Sequence, residues 1–140
     1  MGTKVFYTEQ IQIPFHLADP AGMLFYGNYS HLSHHTIELG LQSLDISWDS
    51  WFKNPDWIVP IRALNCEYLA PVFAGKNYEI RLSIDRLGAH SICFLTEFFH
   101  GNLLCATTLS THVFLNKKTF KKRPIPNAVH AKFQKLTQST

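Results

Sequence analysis

An α+β fold, one long helix against a five-stranded antiparallel sheet, is the architecture this 140-residue chain predicts. Three observations carry it: a single stretch of helical periodicity, a series of β-branched and aromatic runs, and short Gly-containing connections between the later runs. Residues 4–13 alternate, with Val5, Tyr7, Glu9, Ile11 and Ile13 on one side and Phe6, Thr8, Gln10 and Gln12 on the other, a strand closed by Pro14. Over residues 26–44 the positions Tyr29, Leu32, Thr36, Ile37, Leu41 and Leu44 recur at 3–4 spacing, an amphipathic helix of about four to five turns. Residues 44–55, with two tryptophans and Pro55, read as a short helical turn and connection. Residues 57–69, 78–87, 91–99 and 103–115 then read as four strands in a meander. Its last two connections are Gly88-Ala89 and His100-Gly101-Asn102. Beyond Pro124 and Pro126, residues 128–140 read as a weakly helical, polar tail. In a two-layer fold such a sheet buries one face under the helix stripe and leaves the other to a partner subunit.

The composition fits one domain over residues 1–140, with a core over about 3–126 and a tail from 127. Hydrophobic residues make up 46 % and aromatics 14 %, enough apolar surface to exclude intrinsic disorder. Charged residues are only 16 %, too few to coat so small a protein, which points to an oligomer. The net charge of +3 is unevenly spread: Lys117, Lys118, Lys121, Lys122 and Arg123 fall within seven residues. One concentrated patch suits a small polyanion such as a nucleotide phosphate and argues against a nucleic-acid partner, which would need cations spread across a face. Cys66, Cys93 and Cys105 are odd in number and sit in apolar runs without C-x-x-C spacing, as reduced core residues do. The first residues lack a signal-peptide apolar region, and no apolar run approaches the ~20 residues of a membrane span. A cytoplasmic protein is expected.

The segment Gln12-Ile13-Pro14-Phe15-His16-Leu17-Ala18-Asp19-Pro20-Ala21-Gly22-Met23-Leu24-Phe25-Tyr26-Gly27-Asn28-Tyr29 resembles the signature of the hotdog-fold acyl-CoA thioesterases, in their 4-hydroxybenzoyl-CoA thioesterase branch. Further similarity lies at Val59-Pro60-Ile61, Tyr68-Leu69-Ala70-Pro71, Arg86-Leu87-Gly88-Ala89-His90-Ser91 and Pro124-Ile125-Pro126, so that it covers roughly residues 3–126. The resemblance implies a hotdog fold, a homodimer that assembles further to a homotetramer, and hydrolysis of an acyl-CoA thioester without metal or organic cofactor.

Standing alone, Asp19 in Asp-Pro-Ala-Gly is a turn former, its carboxylate taking nearby backbone N–H groups. The resemblance makes it the catalytic carboxylate, either nucleophile or general base towards water. It also implies the backbone N–H of Tyr26 as oxyanion donor, at the helix start where unpaired N–H groups and the dipole favour negative charge. Gly22 serves the turn and close approach of substrate, while Phe25 and Tyr29 supply aromatic surface suited to an aryl or a medium aliphatic acyl group. Where relatives often carry a second carboxylate facing the acyl pocket, this chain has His34. Leu17 likewise stands where they are often polar. Both departures point to an acyl group other than 4-hydroxybenzoate. Val59, Pro60 and Ile61 of one subunit are expected to meet the helix of the other around that group. The coenzyme A half falls to Arg86, His90 and Ser91 at a hairpin, with Lys121, Lys122 and Arg123 as further phosphate contacts, or else as a solvated tip.

His31, His34, His35 and Glu38 have helical metal-ligand spacing, but nothing in the sequence completes a site, so no metal is expected. A hotdog hydratase or dehydratase would need a His paired with a carboxylate at the helix start, for which only His16 offers itself. A non-catalytic acyl-CoA-binding protein would keep the pocket and lose the carboxylate, against which Asp19 stands.

Overall fold

A computed structural model describes residues 4–137. In chain order it contains β1 (Val5–Gln12), a 3-10 turn (Phe15–Leu17), α1 (Asn28–Ser43), α2 (Trp48–Phe52), β2 (Trp57–Ile58), β3 (Ile61–Tyr68), β4 (Asn77–Leu87), β5 (Ser91–His100), β6 (Leu103–Val113), β7 (Leu115–Asn116) and α3 (Asn127–Thr137). The main sheet runs β1-β4-β5-β6-β3, with every neighbouring pair antiparallel, and α1 lies on one face. This is the α+β arrangement the periodicity predicts.

Four features depart from the sequence reading. Only β4, β5 and β6 form a meander. β3 pairs with β6 at the far edge, and the segment after it crosses the end of the sheet before β4 begins. The 57–69 run is broken, because Pro60 has no N–H to give a ladder; β2 leaves the sheet and pairs with β7, Trp57 opposite Asn116. α1 starts at Asn28, so Tyr26 and Gly27 stand outside the helix. The tail carries an eleven-residue helix, α3, whose Phe133 is fully buried against Trp51 (6.1 Å) and Phe94 (5.9 Å), so the apolar core extends past residue 126.

The helix stripe lands as its spacing requires. Ile37 and Leu41 pack with Leu82, Phe94 and Phe114, while Tyr29 and Leu32 pack with Leu24, Ile80 and Phe98. The helix packs tightly on the sheet at Gly40, where an added Cβ would run into Leu82 Cδ2 and lie 3.3 Å from Phe6 Cε2. Beneath its middle, Ser33 Oγ stands 2.6 Å from both Thr96 Oγ1 and Thr108 Oγ1, which also meet each other, all three buried. Three hydroxyls with three protons close a ring in which each donates once. It joins α1 to β5 and β6 without leaving a buried polar atom unpaired.

β3 is unlike the other strands. Seven of its eight residues are exposed, including Ile61, Leu64 and Tyr68. Its outer edge has no neighbour among the described residues.

Candidate active site

Asp-Pro-Ala-Gly forms the turn its residues favour: Gly22 N donates to Asp19 O (2.9 Å), with Pro20 and Ala21 at the corner. Gly22 sits at φ +82° with nothing within 4 Å of the place a Cβ would take, so what requires glycine there is the backbone angle and not crowding. The loop is fastened on all sides. Asp19 N donates to Met23 O (2.7 Å), Leu24 N to Val72 O (2.7 Å), Ala74 N to Gly22 O (3.0 Å), and Asn28 Nδ2 to Leu17 O (2.8 Å). The segment that crosses from β3 to β4 is therefore also what holds the Asp19 loop.

Asp19 Oδ1 accepts from Ala21 N (2.9 Å) and Met23 N (3.1 Å), which fixes the carboxylate; Oδ2 takes no hydrogen bond from the described residues. The half-buried carboxylate borders a cleft of about 460 Å³ lined by Met23, Leu24, Phe25, Tyr26, Tyr29 and the segment from Tyr68 to Pro71. Phe25 and Tyr26 are exposed with rings 4.6 Å apart, and Tyr29 is buried, edge-on to Tyr68 (4.8 Å). The backbone N–H groups of Tyr26 and Gly27 have no partner among the described residues, just ahead of the sixteen-residue α1. Tyr68 O–H donates to Tyr26 O (3.1 Å), bracing that peptide. Burial, and then the nearby Tyr68, Tyr78, Cys105 and Asp19, push the Tyr29 hydroxyl up to about 12, so it stays protonated.

The cleft thus unites Asp19, Phe25, Tyr26 and Tyr29, while Gly22 shapes the turn beside it without lining it. His34 lies further along α1. There a smaller cavity of about 270 Å³, between α1 and β3, is lined by Ser30, His31, Ser33, His34, Ile37, Ile61, Leu64 and Ser110. Ile61 borders this cavity, Pro60 is exposed, and Val59 packs against the core. His35 Nε2 faces Glu9 Oε1 (3.7 Å) instead of joining His31 or His34, and no group of three His, Cys, Asp or Glu side chains among the described residues is arranged to hold a metal.

The basic residues form a second assembly. Phe114 N donates to His90 O (2.9 Å), Ile125 N to Ala89 O (2.9 Å) and Arg123 N to Phe114 O (3.0 Å), so the Arg86, His90 and Ser91 hairpin and the Lys121, Lys122 and Arg123 stretch lie together. They adjoin the end of β6 at Val113, whereas the cleft adjoins its start, where Cys105 O accepts from Leu69 N and Ala70 N. Between Cys105 and Val113 lie about 27 Å of extended strand. One copy of the chain holds the carboxylate and the basic cluster at opposite ends.

Sequence reasoning missed Tyr68, Leu69, Ala70 and Pro71 as lining residues, although they belong to a segment that carries the resemblance. Ser110 and His112 gave no signal, since two residues of a strand face read as ordinary core.

The chain is similar to the 1,4-dihydroxy-2-naphthoyl-CoA hydrolase of Nostoc punctiforme, 23 % identical over 123 residues, 88 % of this chain and 83 % of that protein. Its fold is similar to that of a 1,4-dihydroxy-2-naphthoyl-CoA thioesterase from Synechocystis, with a TM-score of 0.86 at 22 % identity over 95 % of this chain and 98 % of that one. A Staphylococcus aureus protein solved in complex with CoA superposes with a TM-score of 0.84 at 14 % identity, covering 100 % of this chain and 90 % of the other. The hotdog arrangement expected from the resemblance is the one observed. With residues 13–133 matching its family profile, the chain belongs to the Thioesterase-like superfamily.

Proposed function

We propose that this protein hydrolyses an aryl-coenzyme A thioester to the free aryl acid and coenzyme A. The observation that carries the reading is a carboxylate fixed through one oxygen and free at the other, beside an unpartnered N–H at a helix start, in an aromatic cleft. Asp19 attacks the thioester carbonyl or takes a proton from the attacking water. The Tyr26 N–H donates to the carbonyl oxygen on which charge develops, the C–S bond breaks and coenzyme A leaves as the thiolate. After attack by Asp19 itself, water then hydrolyses the acyl-aspartyl anhydride to the free acid and restores the carboxylate, whereas after attack by water the free acid forms directly. Neither step requires a metal or an organic cofactor. The aryl preference draws support from the aromatic lining and from the relatives that act on 1,4-dihydroxy-2-naphthoyl-CoA. Within the superfamily we place the chain nearest the 4-hydroxybenzoyl-CoA thioesterase branch, on the Asp19 to Tyr29 segment, in a cytoplasmic setting suited to its three free cysteines. Incubation with benzoyl-, naphthoyl- and aliphatic acyl-CoAs, followed by a free-thiol reagent, tests it: thiol release from none of them removes the reading.

The working unit in this proposal is a dimer joined along β3. Antiparallel pairing of two β3 edges about a two-fold axis sets the Asp19 end of one copy beside the partner's residues from Val59 to Ile61 and its basic cluster. A site divided in one chain is thereby completed. A homotetramer follows from stacking two such sheets through their outer faces, where Leu95 and Leu109 lie cross-strand. In this arrangement Arg86, His90, Ser91, Lys121, Lys122 and Arg123 face the nucleotide half of coenzyme A. Neutralising Lys121, Lys122 and Arg123 together raises KM for acyl-CoA about tenfold with little change in kcat, because such contacts are equal in ground and transition states. An acyl-N-acetylcysteamine substrate, which lacks the nucleotide, shows no such change. An unaltered KM for acyl-CoA assigns those cations to solvent.

A further inference from the structure

Resting on the aryl-CoA reading, a second inference concerns a hydroxyl in the Asp19 cleft that the fold leaves unpaired. Tyr29 is only 5 % exposed, its ring packed edge-on against Tyr68 (4.8 Å) and Phe98 (5.6 Å). Its hydroxyl has no hydrogen-bond partner among the described residues. The neighbouring tyrosines differ: Tyr68 O–H donates to Tyr26 O (3.1 Å), and the Tyr78 hydroxyl accepts from Phe73 N (2.9 Å). Among the described residues the fully enclosed side-chain polar atom without a partner is Trp57 Nε1. The Tyr29 oxygen is therefore not sealed into the core but opens on the cleft, which Tyr29 lines together with Asp19, Phe25 and Tyr26. A hydrogen bond left unmade on so buried a side chain costs stability, and a group bound in the cleft would complete it.

We infer that Tyr29 is a catalytic residue, its hydroxyl donating to the thioester carbonyl oxygen alongside the Tyr26 N–H.

Position, protonation and rigidity support this. Tyr29 is the second residue of α1, and helical side chains lean towards the helix N-terminus, here the place of the unpartnered N–H groups of Tyr26 and Gly27. Burial, then Tyr68, Tyr78, Cys105 and Asp19, push the hydroxyl up to about 12, so at neutral pH it is an O–H and can donate. The step it assists involves no proton transfer from tyrosine. As the nucleophile bonds to the carbonyl carbon, the C=O electron pair moves onto oxygen and takes the Tyr29 hydrogen bond. The pair returns to the carbon–oxygen bond as the C–S bond breaks. With its ring held by Tyr68 and Phe98, the donor is in place before substrate arrives, the condition under which such donors contribute most.

Tyr29→Phe tests the assignment, because it deletes the oxygen and keeps the ring. On the faster of benzoyl- and naphthoyl-CoA, kcat falls about a hundredfold, the scale of losing one oxyanion donor, with little change in KM. The melting temperature equals or exceeds that of the wild type, since no hydrogen bond within the protein is lost. S-benzyl-coenzyme A, a thioether with CH2 in place of the carbonyl, binds wild type and variant with the same Kd. A merely structural tyrosine gives the reverse pattern, a lowered melting temperature with kcat preserved. A kcat reduced less than tenfold, a lowered melting temperature, or weakened binding of S-benzyl-coenzyme A overturns the role of Tyr29 and leaves the aryl-CoA reading standing. Wild-type turnover of neither thioester overturns both.

Discussion

Replacing Asp19 with asparagine lowers kcat on an aryl-CoA thioester by about a thousandfold and leaves the fold and its assembly in place. The separation of effects comes from the loop. Asp19 Oδ1 accepts from Ala21 N and Met23 N, and the amide oxygen of asparagine accepts the same two bonds. What disappears is the negative charge of the carboxylate that borders the cleft, and with it the capacity to attack a carbonyl or to deprotonate water. Asp19→Ala, by contrast, also releases the two backbone N–H groups and disturbs the turn. Steady-state kinetics with a melting curve on Asp19→Asn check the claim; a loss below tenfold removes Asp19 from the chemistry.

If two β3 edges pair as proposed, an aspartate on that edge acts through assembly. Leu64→Asp places a charge on a strand whose apolar residues are exposed in the single copy and become buried if two edges pair. The expected outcome is a folded monomer by sedimentation with activity reduced more than a hundredfold. Leu64 also borders the smaller cavity, so Ala63→Asp, which does not line that cavity, is the companion variant and gives the same pair of effects. A fully active monomer from Ala63→Asp refutes pairing through β3 as a requirement for the site.

Local patterns carried the element types. The stripe of Tyr29, Leu32, Ile37 and Leu41 marks α1, and alternation marks β4 and β5, because each depends on neighbours within a few residues. Strand order is another matter. That β3 lies against β6 and away from β4 is decided by how the crossing segment bonds to Cys105, Gly22 and Ile13, which no periodicity reports. The polar composition of the tail hid Phe133, a single apolar residue that docks between Trp51 and Phe94. In the candidate site, the Asp19 turn was legible since the bonds that shape it, from Gly22 N to Asp19 O and from Ala21 N and Met23 N to Asp19 Oδ1, join residues within four positions. The contact of His34 with His112 joins positions 78 residues apart in the chain and exists only once helix and sheet have met.

The division of one chain into a carboxylate end and a cationic end has a genetic reading. Let chains carrying Asp19→Asn and chains lacking the charges of Lys121, Lys122 and Arg123 be unfolded together and refolded as a mixture. In the proposed β3-paired dimer, random pairing makes half of the pairs mixed. In each mixed dimer one site inherits both defects, and the other draws its carboxylate and its cations from intact donors. About a quarter of all sites then regain wild-type kcat/KM at low acyl-CoA. Two alleles that each fail on limiting substrate would in this way complement each other within a single gene. Defects confined to the same end of the chain would not.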